Sequence, residues 1–202
     1  MSLNDGDEAG SKLADKVSDA SVNPDIVLCS SVEGFRVAKA VSDNLKADLD
    51  LRFSESIKVP GESDVIVAGV TDDGTAWVDR LVKDEFNVSG AFIDRARIVK
   101  ARTLGLKKRE YSREDKPVSG KNVLIVDSSV LDSNRIAAVI GSAMKHGAVK
   151  VSIAAPEISE ISASHLKKLC KTVVSLEEGL EPDISRVSQD RISEKLKKHD
   201  FT

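Results

Sequence analysis

The sequence predicts an α/β fold built on a parallel sheet, and three observations lead to this prediction. Residues 25–29, 122–127 and 148–155 are mainly apolar, which is typical of strands that are buried on both faces. Apolar residues at helical spacing fill the segments between these runs. Strands that alternate with helices in this way form parallel sheets. We therefore expect the 123–126 strand to be central, flanked by parallel strands at 25–29 and 149–154.

The individual elements follow from apolar spacing and from residues that begin or end helices. In chain order we expect a helix at 3–20, a strand at 25–29, a helix at 34–45, strands at 49–53 and 64–70, mostly helix at 75–110, a loop at 116–120, a strand at 122–127, a polar loop at 128–133, a helix ending at Gly147, a strand at 148–155 closed by Pro156, a helix at 160–170 and a strand at 172–176. The pattern around Trp77 fits a helix or a strand equally. Ser89 is expected to cap one helix, and Asp132 or Ser133 to cap another.

Length, composition and charge set limits on the class of protein. The 202 residues suit one domain, with an N-terminal helix in 1–22, a core over 23–176 and a charged tail or hood over 177–202. The chain has 30 basic and 33 acidic residues and 3% aromatic residues, so nucleic acid is not expected as a partner. The polar N-terminal segment and the lack of a long apolar run predict no membrane association and a cytoplasmic location. Two distant cysteines and three scattered histidines make no zinc pattern.

Two loops are the candidate ligand-binding segments. In open α/β sheets, ligands bind beyond the carboxyl ends of the strands. The loops that follow the 25–29 and 122–127 strands, at 30–34 and 128–134, begin at that edge. Both loops are rich in serine. Since no histidine lies near Ser30 and Ser31 in sequence, nucleophilic catalysis is not expected there.

The run Val-Leu-Ile-Val-Asp-Ser-Ser-Val-Leu-Asp-Ser-Asn at 123–134 resembles the signature loop of type I phosphoribosyltransferases. Other segments match stand-alone prokaryotic phosphoribosyltransferase-like proteins in order and spacing: Ala-Gly-Ser-Lys-Leu-Ala at 9–14, Gly34, Pro60-Gly61, Ala-Gly-Val at 68–70, Arg109 and Tyr111. The resemblance covers nearly the whole chain. It implies a single phosphoribosyltransferase-type domain with helices on both faces of the sheet.

The resemblance also implies a chemistry from which this sequence departs. In the family, loop N–H groups hold the 5′-phosphate of phosphoribosyl pyrophosphate, and two acidic residues hold the ribose hydroxyls. Magnesium bridges the pyrophosphate oxygens and the ribose hydroxyls. Here Asp127 keeps the first acid, but Ser128 replaces the second. The remaining departures lower the positive charge: Asp132-Ser133 replaces a Thr-Gly pair, Val32-Glu33 replaces an Arg-Gly pair, and Glu55-Ser56 replaces an Arg-Lys pair.

We therefore expect a catalytically lapsed family member that binds a small phosphate- or sugar-bearing ligand, or a partner protein, through the former active-site mouth. The candidate ligand-binding residues are Ser30, Ser31, Glu33, Gly34, Asp127, Ser128, Ser129, Asp132, Ser133 and Asn134. One alternative is an active transferase that uses phosphoribosyl pyrophosphate and magnesium. Another is an anion- or RNA-binding module that uses the basic 95–113 stretch, although a solvated helix face explains that stretch more simply. The acceptor base, the partner and a homodimer stay open.

Overall fold

The computed structural model describes residues 6–111 and 115–178. Its helices are α1 (Gly6–Asp19), α2 (Phe35–Leu45), α3 (Arg80–Glu85), α4 (Gly90–Arg109), α5 (Ser133–Lys145) and α6 (Glu160–Leu169). Its strands are β1 (Ile26–Cys29), β2 (Asp48–Leu51), β3 (Ser54–Lys58), β4 (Ile66–Thr71), β5 (Ala76–Val78), β6 (Asn122–Val126), β7 (Ser129–Val130), β8 (Lys150–Ile158) and β9 (Thr172–Glu178). Within these described ranges, no helix has the length and apolar character needed to cross a membrane.

The main sheet is parallel, and β6 lies at its centre. β1 and β8 pair with β6 on its two sides, with Val27 and Ser152 both opposite Leu124. β2 extends the sheet beyond β1, and β9 pairs with β8, again in parallel. The predicted central strand and its two parallel neighbours are confirmed.

Helices cover both faces of this sheet, as the alternation of its buried residues shows. Val27 of β1 and Leu124 of β6 belong to a buried cluster that includes residues of α1 and α2. Their neighbours Ile26 and Ile125 belong to a second cluster, which includes residues of α5 and α6. Because successive residues of a strand point to opposite faces, each face of the sheet has its own apolar core. This arrangement explains why the strand sequences are almost continuously apolar.

A second sheet contains β3, β4 and β5 in antiparallel order and lies against α5. The predicted 64–70 strand is β4 of this sheet, and Trp77 lies in β5. β3 was not predicted, because its sequence Ser-Glu-Ser-Ile-Lys is mostly polar. The contact with α5 depends on Gly69, where a Cβ atom would lie 2.1 Å from the carbonyl oxygen of Asn134. Only glycine lets the strand backbone come so close to the helix.

The part of the main sheet around β8 differs from the prediction in three ways. β8 does not end at Pro156, because its pairing with β9 resumes at Glu157. The longer β8 also pairs with Ser129–Val130, so that β7 lies inside the segment predicted as a plain loop. β9 includes Glu177, which was assigned to the tail. The rest of the predicted tail, at 179–202, and the first residues of the predicted N-terminal helix lie outside the described residues.

Candidate functional site

Asp127 follows β6, and its carboxylate is the centre of the candidate site. Ser30 donates to Oδ2 at 2.5 Å, and Ser31 donates to Oδ1 at 2.7 Å. The backbone N–H of Ser128 donates to Oδ1 at 2.7 Å. The guanidinium group of Arg135 in α5 lies 2.6 Å from Oδ2. Groups of the chain itself therefore hold both oxygens of this carboxylate, and Asp127 is only 1% exposed.

These partners stabilise the negative charge of Asp127. Burial opposes ionisation, but the Arg135 guanidinium and the hydroxyls of Ser30 and Ser31 outweigh it and hold the pKa of Asp127 below its ordinary value. Arg135 also donates to the carbonyl oxygen of Ser129 at 2.9 Å. Asp127 thus ties the loops after β1 and β6 to the first turn of α5.

The loop after β1 closes tightly on Asp127. The hydroxyl of Ser31 accepts the N–H of Gly34 at 3.0 Å. A Cβ atom at Gly34 would lie 3.0 Å from both Cα and Oδ1 of Asp127, so the two loops are in direct contact. Glu33, between these positions, is exposed. Burial raises the pKa of Cys29 to about 12, which agrees with its interpretation as a core residue.

The N-terminus of α5 is occupied by groups of the same chain. Asp132 caps this helix by accepting the N–H of Asn134 at 2.9 Å, and its other oxygen accepts the hydroxyl of Ser56. Of the two predicted caps, Asp132 is therefore correct. The hydroxyl of Ser133 lies 2.7 Å from Nδ1 of His165. A carboxylate at this place compensates the positive end of the helix dipole and satisfies an N–H group that a phosphate could otherwise bind.

The structure brings most of the predicted site residues together. Ser30, Ser31 and Ser128 bond to Asp127 directly, and Gly34 packs against it. Asp132 is the N-cap of α5, and Ser133 and Asn134 are the first two residues of this helix, directly before Arg135, which pairs with Asp127. Ser129 contributes its carbonyl oxygen to Arg135, and Glu33 lies at the exposed edge of the first loop. The ligand-binding role of all these residues stays a prediction.

Comparisons of sequence and structure agree on the relatives of this chain. Two curated relatives from Mycobacterium tuberculosis, strains CDC 1551 / Oshkosh and H37Rv, each bear the name "Putative phosphoribosyl transferase". Each is 27% identical over 161 residues, which are 76% of this chain and 35% of the relative. This chain therefore spans about a third of the length of these relatives. The crystal structure of TT1426 from Thermus thermophilus matches 91% of this chain and 86% of its own, with a TM-score of 0.71 and 21% identity.

A purine phosphoribosyltransferase from Pyrococcus horikoshii Ot3 matches 90% of this chain and 87% of its own, with a TM-score of 0.51 and 15% identity. The chain is therefore phosphoribosyltransferase-like: it is similar in sequence to proteins of that name and shares the fold of a phosphoribosyltransferase. No family model matches this phosphoribosyltransferase-like chain. A hypothetical protein from Neisseria gonorrhoeae, crystallised with bound ppGpp, matches 96% of the chain and 94% of its own, with a TM-score of 0.50 and 15% identity.

Three residues of the site were missed in the sequence of this phosphoribosyltransferase-like protein. Arg135 had a detectable signal, since a basic residue in the first turn of a helix opposes the dipole and points to a nearby acid. Ser56 lies on β3, which was not predicted. His165 has no partner that its local sequence could indicate, because its contact with Ser133 joins α6 to α5 across the fold. Among the described residues, no cluster of three or more His, Cys, Asp and Glu side chains could hold a metal ion.

The basic residues 95–109 of the predicted 95–113 stretch divide into two groups on α4, and Arg113 lies outside the described residues. Lys100 pairs with Glu55 at 2.8 Å, and Lys108 is buried and pairs with Asp72 at 3.2 Å. Arg97 donates to the carbonyl oxygen of Gly74. The exposed members are Arg95, Arg102, Lys107 and Arg109. Part of the stretch therefore has a structural role, and RNA binding by the exposed part stays a prediction.

Proposed function

We propose that this phosphoribosyltransferase-like protein is a lapsed transferase, and that residues 1–202 act as one unit. Its former active-site mouth would bind a small phosphate- or sugar-bearing ligand, or a partner protein. The observation that carries the proposal is the closed environment of Asp127. The resemblance assigns this carboxylate to ribose hydroxyls, but Ser30, Ser31 and Arg135 already engage both of its oxygens.

The charges around the mouth support the loss of catalysis. Phosphoribosyl pyrophosphate is a polyanion, and Asp132 caps α5 where the family loop holds a phosphate. Two like charges 4 Å apart repel by about 4 kcal/mol at an effective dielectric constant of about 20. Glu33 adds a second acid where the family has its pyrophosphate loop. The loop segment that would wrap the phosphate contains β7, which is paired with β8.

The residues present do not fit the magnesium complex that the resemblance implies. Magnesium would be held chiefly by substrate oxygens, with carboxylates fixing the ribose hydroxyls that coordinate it. Here Ser128 stands in place of the second carboxylate. The remaining carboxylate, Asp127, is 1% exposed and ion-paired with Arg135.

The polar groups that line the mouth support a ligand that is less anionic than the family substrate. Ser31, Ser128 and Ser133 are half-buried hydroxyls at the two loops, and each can donate or accept a hydrogen bond. Such groups suit sugar hydroxyls or a single phosphate. Binding of ppGpp by the Neisseria protein of similar fold is in line with a phosphate-bearing ligand for this fold.

A pyrophosphate-release assay with phosphoribosyl pyrophosphate, magnesium and a panel of purine and pyrimidine bases tests the proposal. We expect no turnover above the rate without protein, because the donor site has lost positive charge. Magnesium-dependent turnover with any base, abolished in Asp127→Asn, would establish the active transferase instead.

A reversal experiment tests whether charge is the obstacle. The triple variant Ser128→Asp, Asp132→Thr, Ser133→Gly rebuilds the family pattern, and its glycine exposes loop N–H groups. We expect binding of phosphoribosyl pyrophosphate to appear near 1 mM, about −4 kcal/mol, without turnover. Asp132→Asn is the matched control, since asparagine keeps the helix cap and removes only the charge. If the folded triple variant binds no better than the parent, the mouth is closed by shape rather than by charge.

A further inference from the structure

A pocket of about 450 Å³ lies between α4 and the turn that joins β4 to β5. Residues 72–74 of the turn form one side, and Arg102, Gly105 and Arg109 belong to the helical side. None of the predicted mouth residues lines it. We propose that this pocket is a second ligand site, which binds an organic phosphate of the nucleoside phosphate class.

The two arginines supply the affinity for an anion. Arg102 and Arg109 are seven residues apart, which places them on the same face of α4, about 10 Å apart along its axis. Both are exposed, and neither has a carboxylate in ion-pairing distance among the described residues, whereas Lys100 and Lys108 of the same helix are both paired. A guanidinium group binds phosphate through two parallel N–H donors.

The local charge of α4 contrasts with that of the whole chain. The helix Gly90–Arg109 contains seven basic residues and one acid, Asp94, a net charge of +6. The whole chain has a net charge of −3, so the remaining residues together carry −9. An anion is therefore attracted to this helix and repelled by most of the rest of the surface.

The acids of the turn form their contacts with groups other than the two arginines. Asp72 lies 3.2 Å from Nζ of Lys108 and 3.5 Å from Arg52, and these two cations also pair with Asp115 at 2.6 and 3.4 Å. Asp73 accepts hydrogen bonds from Thr71, Thr75 and Ser142 and lies 3.6 Å from Arg52. Because both acids are directed to these partners, neither is in ion-pairing distance of Arg102 or Arg109, and the two guanidinium groups at the rim remain available to a ligand.

Gly105 makes room for the body of the ligand. Glycine in a helix interior costs about 1 kcal/mol relative to alanine, so its presence calls for a reason. Packing gives none, because the nearest atom to an added Cβ atom would be the carbonyl oxygen of Asp72 at 3.7 Å, an ordinary contact. A larger side chain would instead project into the pocket. The apolar side chains of Ala101 and Leu106 line the same pocket and suit a flat apolar group such as a nucleobase.

Calorimetric titration of the full chain with GDP tests the proposal, with guanosine and inorganic phosphate as separate arms. We expect saturable binding of GDP and at least tenfold weaker binding of guanosine, which lacks the anion, and of phosphate, which lacks the body. Arg102→Gln and Arg109→Gln should each weaken GDP binding about tenfold. Lys107→Gln is the matched control, because it removes the same charge from the same helix outside the pocket, and it should change the affinity less than threefold.

Gly105→Leu separates the pocket from any other anion site. We expect it to abolish GDP binding without lowering the melting temperature, and Gly105→Ala to raise the melting temperature while weakening binding. Three results would each overturn the proposal: no GDP binding by the parent at millimolar concentration, equal losses in the Arg102 and Lys107 variants, or unchanged GDP binding in either folded Gly105 variant. These results do not depend on pyrophosphate release, so they stand apart from the test of lapsed catalysis.

Discussion

Replacing Asp127 by asparagine should destabilise this protein by about 2–3 kcal/mol, because the carboxylate is an internal anchor. Removing one partner of a buried ion pair typically costs about 3–5 kcal/mol. Here the Arg135 side chain is 17% exposed while that of Asp127 is 1% exposed, so water can partly solvate the arginine and we expect a loss at or just below the lower end of that range. Asparagine keeps the shape and can still accept from Ser31. For about 200 residues the loss corresponds to roughly 4–12 °C in melting temperature.

Urea unfolding of a double-mutant cycle measures this anchor directly. The cycle contains the parent, Asp127→Asn, Arg135→Met and the double variant, and we expect a coupling free energy of at least about 1 kcal/mol. A carboxylate kept for binding a ligand commonly lowers stability, so its removal would be neutral or stabilising. Asp127→Asn within about 0.5 kcal/mol of the parent would therefore refute the interpretation of Asp127 as an anchor.

Three further predictions concern packing, pH and thiol reactivity. Gly69→Ala should destabilise by more than about 2 kcal/mol, because its Cβ atom would meet backbone at 2.1 Å. Gly141→Ala, with only a Thr75 methyl group at 3.5 Å, should be neutral or stabilising, and urea unfolding compares the two. The pKa of Asp127 is lowered in the folded protein. The stability that the ionised carboxylate provides should therefore be complete above about pH 4 and be lost as the pH falls further. In Asp127→Asn, the free energy of unfolding should depend less on pH in this acidic range. Cys29 should resist iodoacetamide at pH 8 until the chain unfolds, as mass spectrometry of the labelled protein would show.

The main sheet could be predicted because its strands are buried on both faces. β1, β6 and β8 are mainly apolar, and such runs allow few alternatives. The second sheet could not be predicted as a sheet, since β3 is mostly polar and β4 packs against α5 through contacts that local sequence does not specify. Pro156 was taken as a strand end, but tertiary pairing with β9 on its far side carries β8 beyond it.

The candidate site was predicted in its position and only partly in its internal bonding. Topology places the loops after β1 and β6 side by side, so Ser30, Ser31 and Asp127 could be grouped from sequence. The ion pair of Asp127 with Arg135 depends on the exact direction of α5, which follows from the cap at Asp132 and the short β7 strand. The cap could be predicted from sequence, but the two-residue strand β7 has no distinctive pattern, and for that reason the closed state of the carboxylate is seen only in the structure.

Calorimetric titration of the parent protein with phosphoribosyl pyrophosphate at fixed magnesium and salt tests the central claim, that the donor site has lapsed, most directly. We predict no saturable binding up to about 1 mM, since Asp127 is already bonded and Asp132 and Glu33 oppose a polyanion. Asp127→Asn should not change this result. Micromolar binding that requires magnesium and is lost in Asp127→Asn would contradict the account.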